Sequence, residues 1–141
     1  MRLNPYFLWA VYSAFVLLFV SGTAWLLADQ LKDGVNGELW QAAGASLLMI
    51  HGGTAMATLL LLGALFPLHM QRGWRARKNR LTGSTMITFN AILIVTAFGL
   101  YYLGSEALRP WISDAHIAVG LALPLLLFVH VMLGRRGSKS S

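Results

Sequence analysis

Four long apolar stretches, parted by short polar segments, dominate the chain. A helix needs about 20 apolar residues to span the hydrocarbon core of a bilayer. The stretches at about 6–28, 41–69, 82–103 and 112–133 all meet that length. The pattern predicts an all-α integral membrane protein, a four-helix bundle forming a single transmembrane domain over residues 1–141. The first stretch, "YFLWAVYSAFVLLFVSGTAWLLA", exceeds the apolar core of about 7–15 residues found in signal peptides. No convincing small-x-small cleavage site follows it, so it is expected to be a retained span. The last segment, "GRRGSKSS" (134–141), is expected to be a flexible basic tail near anionic lipid.

Composition agrees with that reading. The chain is 57% hydrophobic and 11% charged, against roughly 25% charged in soluble domains. Lipid is therefore the expected solvent and partner. Cysteine is absent, which excludes disulfides, thiolate zinc sites, iron–sulfur ligation and C-x-x-C-H haem attachment.

Charge positions say more than the net charge of +6. All of the 11 Lys and Arg residues except Lys32 and Arg109 fall at the N-terminus, in the 71–81 loop or at the C-terminus. An even number of spans puts those three regions on one side, which the positive-inside rule makes cytoplasmic. Both termini are thus expected in the cytoplasm, with the chain a multi-pass membrane protein. The 29–40 and 104–111 loops face outward and, with the start of the fourth span, carry all five acids, Asp29, Asp33, Glu38, Glu106 and Asp114. This alternation does not suit nucleic acid, which is not an expected partner. Tryptophans and tyrosines near the span ends suit interfacial anchoring.

Histidine then changes the picture. The chain has four, His51 and His69 on the second span, His116 and His130 on the fourth. The span interiors carry no Lys, Arg, Asp or Glu, and ionisable groups inside a membrane are functional candidates. An α-helix turns about 100° and rises about 1.5 Å per residue. His51 and His69 are five turns apart and share a face, about 27 Å from each other. His116 and His130 also share a face, about 21 Å apart. Both spans enter from outside, so outer His51 is level with His116 and inner His69 with His130. Two facing pairs, one per leaflet, suit two haems with two axial imidazoles each. All four histidines are candidate iron ligands. Zinc suits the pattern less, since it takes three or four ligands. Gly52, Gly120 and Gly134 lie beside or four residues beyond these histidines and leave room for a flat macrocycle. Pro67 and Pro124 are expected to bend their spans and absorb part of the roughly 6 Å mismatch between the two spacings. His69 is the ligand most exposed to that mismatch.

These residues resemble the bacterial dihaem b-type membrane cytochromes, including cytochrome b561-like proteins and the cytochrome b subunits of respiratory enzymes. The resemblance covers spans two to four. "HIAVGLALPLLLFVH" has the His-x13-His spacing of haem helices in the quinol-oxidising cytochrome b family, whereas the second span departs from it with His-x17-His. The resemblance implies transmembrane electron transfer through two b haems, with the iron carrying the chemistry. It implies an electron-transfer subunit of a respiratory oxidoreductase rather than a complete enzyme, and no catalytic residue is assigned. Quinone is a candidate ligand. A c-type cytochrome or periplasmic enzyme is the expected outer partner. Alternatives are a free-standing quinone-coupled superoxide oxidase or ferric reductase, or a non-redox transporter or assembly factor whose histidines bond between helices.

Haem propionates want cationic and N–H donors, and Arg109 and Trp111 flank the outer position. Arg72, Trp74 and Arg75 flank the inner one, where the positive-inside rule alone accounts for most of the basic cluster. Tyr101, Tyr102, Glu106 and Asp114 are candidates for a quinone or substrate site. Asn90 is expected to bond between helices, and Thr58 and Thr96 to be structural.

Overall fold

The computed structural model describes residues 4–77 and 80–137, and every regular element among them is helical. Helix α1 spans Pro5–Leu31 and α2 spans Gly37–Leu65, followed by a π-helical turn at Phe66–Met70 and a short α3 at Gln71–Arg75. Helix α4 spans Arg80–Tyr102 and α5 spans Arg109–Gly137. Four helical runs are long and apolar enough to cross a membrane: Pro5–Leu31, Gly37–Arg75, Arg80–Tyr102 and Arg109–Gly134. The expected spans coincide with them, except that the third run ends at Tyr102, one residue short of the expected 103; elsewhere the helices extend a few residues past the apolar cores. Of the segment read as a basic tail, residues 134–137 continue α5, while 138–141 lie outside the described residues, as do Arg2 and Lys78.

The chain divides into two compact units, Met1–His69 and Met70–Ser141. In the first, α1 packs along α2. Asn4 starts α1 by accepting the Tyr6 N–H at 2.9 Å, and Pro5 sits at the first helical position, where its missing N–H costs nothing. Past Leu31, Lys32 donates to Asp29 at 2.8 Å. That carboxylate holds the Lys32 ammonium above its ordinary pKa. Asn36 then takes a left-handed conformation, φ 65°, which asparagine tolerates better than most residues. Gly37 follows, where a Cβ would collide with the Lys32 carbonyl oxygen. This tight corner turns the chain back along α1. Small residues let the helices close up: Ala28 is 1% exposed, and a Cβ at Gly44 would touch Trp25 and Ala28. Such packing, rather than the hydrophobic effect, holds helices together in lipid.

In the second unit, α4 packs along α5 and α3 touches α4. Arg80 folds back over the Trp74 ring, 5.1 Å from its centre, and donates to the Trp74 carbonyl at 2.9 Å. The same carbonyl also accepts the Arg77 N–H at 3.3 Å, so the guanidinium adds a second donor where α3 ends. At the other end of α4, Arg109 donates to the Leu100 carbonyl at 3.0 Å and ties the 103–108 loop down. Gly99 faces Ile112 across the pair, where a Cβ would sit 3.3 Å from Cγ2. Pro124 lies inside α5, which stays helical through it. Proline lacks the N–H that would otherwise reach the Gly120 carbonyl.

Apolar surface dominates the exterior. Among the described residues no large side chain is fully buried, and Leu60, Val95, Leu125 and Phe128 all stand exposed in the middle of long helices. In water this would be an aggregation liability, but it is what a lipid-facing helix presents.

Candidate functional site

Three of the four histidines occupy the seams between paired helices. His51, on α2, meets α1: its Nδ1 lies 3.0 Å from Ser21 Oγ. Ser21 is only 4% exposed, so the bond is shielded from competing water. The neighbouring Gly22 matters to the same ring. A Cβ there would stand 3.1 Å from His51 Cε1 and 3.4 Å from Nδ1, tighter than an ordinary contact. An alanine there would make the imidazole give way by a few tenths of an ångström.

His116 and His130, both on α5, meet α4. His116 Nδ1 lies 2.8 Å from Thr96 Oγ1, and His130 Nδ1 lies 3.0 Å from Thr82 Oγ1. The register explains why both contacts form. Thr82 and Thr96 stand as far apart on α4 as His116 and His130 do on α5, and the two helices run in opposite directions. One antiparallel alignment therefore closes both hydrogen bonds. The two imidazoles lie about 21 Å apart along one helix, each at its own level.

His69 differs. It falls in the π-turn Phe66–Met70, two residues after Pro67, and its side chain is exposed. Pro67 cannot donate a backbone hydrogen bond, and its ring crowds the preceding turn. The wide turn, with bonds from residue i to i+5, relieves that crowding. Its extra residue sets His69 back by up to about 100° and about 1.5 Å from an unbroken α-helix. The five-turn alignment with His51, expected from α-helical spacing, is loosened accordingly. The shift in depth is a minor part of the roughly 6 Å by which the spacing of this span exceeds the other.

The remaining expected site residues lie on the same helices. Gly52 directly follows His51 on α2; Gly120 and Gly134 lie on α5. A Cβ at Gly120 would make only ordinary contact with Leu93 Cδ2, at 3.8 Å. Arg109 and Trp111 stand at the start of α5, Trp111 75% exposed. Tyr101 and Tyr102 stack loosely at the end of α4, with Phe98 4.6 Å from Tyr102. Asn90 bonds within its own helix, donating to the Met86 carbonyl at 2.8 Å, and not between helices. Thr58 is buried and donates to Thr54, a structural role. Thr96, read from sequence as structural, is the partner of His116. Ser21, Gly22 and Thr82 were not singled out from sequence. For the threonines there was a signal: their spacing on α4 repeats that of the histidines on α5.

Among the described residues, no group of three or more His, Cys, Asp and Glu gathers to hold a bare metal ion. Axial ligation of a porphyrin iron is a different requirement and takes two imidazoles. Ligating histidines commonly hold their other ring nitrogen on an oxygen, which fixes the ring's orientation. His51, His116 and His130 each have Nδ1 on a hydroxyl, so this donor set fits that role.

Fold and site together define a helical protein with four membrane-length helices and imidazoles seated at its helix seams. No family model matches the chain, and neither a curated protein nor a solved structure does.

Proposed function

We propose that this is a multi-pass protein of the bacterial inner membrane that carries electrons across it through two b-type haems. The helices assemble as a four-helix bundle with both termini in the cytoplasm. The observation that supports this reading best is the seating of His51, His116 and His130, each imidazole anchored through Nδ1 to a hydroxyl on the neighbouring membrane-length helix. Isolated membrane histidines have no need of repeated, register-matched partners. The residues that would hold the two haems are those expected from the sequence, His51 with His116 and His69 with His130. When bound, haem iron supplies one-electron chemistry by moving between its ferric and ferrous forms. The chain's own contribution is to hold the imidazoles, exclude water with apolar helices and offer the propionates a cation, Arg109, and an indole N–H donor, Trp111, on the outer side. The short outer loops favour a subunit that passes electrons between quinone and a separate outer-face redox protein, a c-type cytochrome or periplasmic enzyme. A complete quinone-coupled superoxide oxidase or ferric reductase is the alternative within the same chemistry.

A second reading has a specific observation behind it. Histidine–hydroxyl bonds between helices also stabilise membrane proteins that carry no cofactor. The test separates the two. Purified protein in lipid nanodiscs, given a short-chain quinol under argon, is expected to develop the sharp absorption bands of reduced b haem. A colourless preparation, from cells supplied with haem precursor, would leave only the hydrogen-bonding role.

A further inference from the structure

We infer that Ser21 and Thr96 are positioning residues that hold His51 and His116 in the Nδ1–H tautomer, so that Nε2 is the nitrogen with the lone pair. The inference deepens the haem reading and rests on it for its purpose, though its geometry stands apart from any cofactor.

A hydroxyl has one proton to give. Ser21 Oγ donates to the Leu17 carbonyl, one turn back on α1, at 2.6 Å. The short distance marks where that proton goes. Towards His51, Ser21 Oγ is then an acceptor, and the group 3.0 Å away must be an N–H. Thr96 repeats the arrangement on α4. Its Oγ1 donates to the Ile92 carbonyl at 2.7 Å and faces His116 Nδ1 at 2.8 Å. In both places a relay runs from imidazole N–H to hydroxyl to a helix carbonyl. Helix geometry makes the relay directional, because a Ser or Thr in mid-helix finds the i−4 carbonyl within reach of its own proton. An N–H bonded to an oxygen also makes the opposite nitrogen a better electron donor. Gly22 completes the seat for His51, since only glycine lets the ring edge come this close to α1. Two separate helix pairs thus use one device, although they share no sequence around it.

The test uses the full chain labelled with 15N-histidine, compared with Ser21→Ala, Thr96→Val and the hydroxyl-retaining Ser21→Thr and Thr96→Ser. Long-range proton–nitrogen NMR of the ferrous or haem-free protein reports which ring nitrogen carries the proton. The expected wild-type spectrum has His51 and His116 protonated at Nδ1 and bare at Nε2. In haem-free protein, Ser21→Ala and Thr96→Val are expected to release a mixture of tautomers at the facing histidine only. In haem-loaded protein the same variants are expected to shift the midpoint potential of one haem to more positive values. Ser21→Thr and Thr96→Ser are expected to restore both readouts. An Nε2–H proton on either wild-type histidine would overturn the assignment, and the wild-type spectrum decides this even where a variant fails to fold. Unchanged tautomers and potentials in the two hydroxyl deletions would overturn it as well. A chain that binds no haem but shows both Nδ1–H tautomers would retire the electron-transfer reading and leave this assignment standing.

Discussion

The two helix pairs seat their histidines unequally. In α4–α5 one alignment serves both rings: the spacing of Thr82 and Thr96 repeats that of His116 and His130, and two hydrogen bonds of 3.0 and 2.8 Å result. In α1–α2, Ser21 and Gly22 hold His51. Carried on at the same register, the antiparallel counterpart of His69 would fall ahead of α1, outside the described residues. His69 itself rides on a π-turn and is exposed. The difference teaches that matched spacing on two helices seats a second ring with no extra device. In the span with the longer spacing, the backbone departs from the α-helix at a proline.

The largest effects expected to test this contrast come from the ligands. His51→Ala, His116→Ala and His130→Ala are each expected to lose one b haem per chain, read as half the wild-type haem absorbance per mole of protein. His69→Ala is expected to lose the inner haem alone. Retention of both haems by that variant would confine ligation to the three seated histidines and break the inner pairing.

Next comes the π-turn. Pro67→Ala restores a backbone donor and removes the ring that forces the wide turn. The expected result is a reversion towards α-helix that swings His69 by up to about 100°. Occupancy of the inner haem should fall several-fold while the outer one is spared, which redox titration of the two components would resolve.

Glycine offers a sharper pair. Gly22→Ala places a methyl 3.1 Å from the His51 ring, and is expected to cost about 1–3 kcal/mol in unfolding from mixed micelles, as overpacking does. Gly120→Ala meets only Leu93 at 3.8 Å, and is expected to stay within about 0.5 kcal/mol of wild type. Equal effects at the two positions would erase the special seat at His51.

The smallest expected effect is at a helix end. Arg109→Gln removes the donor to the Leu100 carbonyl, an exposed bond. Its loss is expected to cost about 0.5–1 kcal/mol in the same unfolding measurement, as for an ordinary hydrogen bond, because exposure to water offsets the gain from the charge. A simultaneous loss of outer haem would point instead to propionate binding by this residue.

The elements were legible because length and apolarity alone set them: α1, α4 and α5 begin within a few residues of the expected spans. The histidines stood out as candidate ligands, since the span interiors carry no Lys, Arg, Asp or Glu. Their supports were not. Serine and threonine are common in membrane helices, and most here simply donate to their own helix, as Thr23 does to Phe19 and Thr85 to Leu81. Only the antiparallel register of α4 against α5 turns Thr82 and Thr96 into partners. Pro67 marked a disturbance in sequence, but whether a proline bends a helix or widens one turn depends on the carbonyls around it. For Pro67 the outcome is a π-turn, and for Pro124 a helix that continues.

The central claim is that these imidazoles hold iron porphyrin, and a pyridine haemochrome assay tests it most directly. Performed on full-length protein from haem-sufficient cells, with protein quantified by amino-acid analysis, it should return two b-type haems per chain. A value near zero, with the helices intact by circular dichroism, would contradict the account.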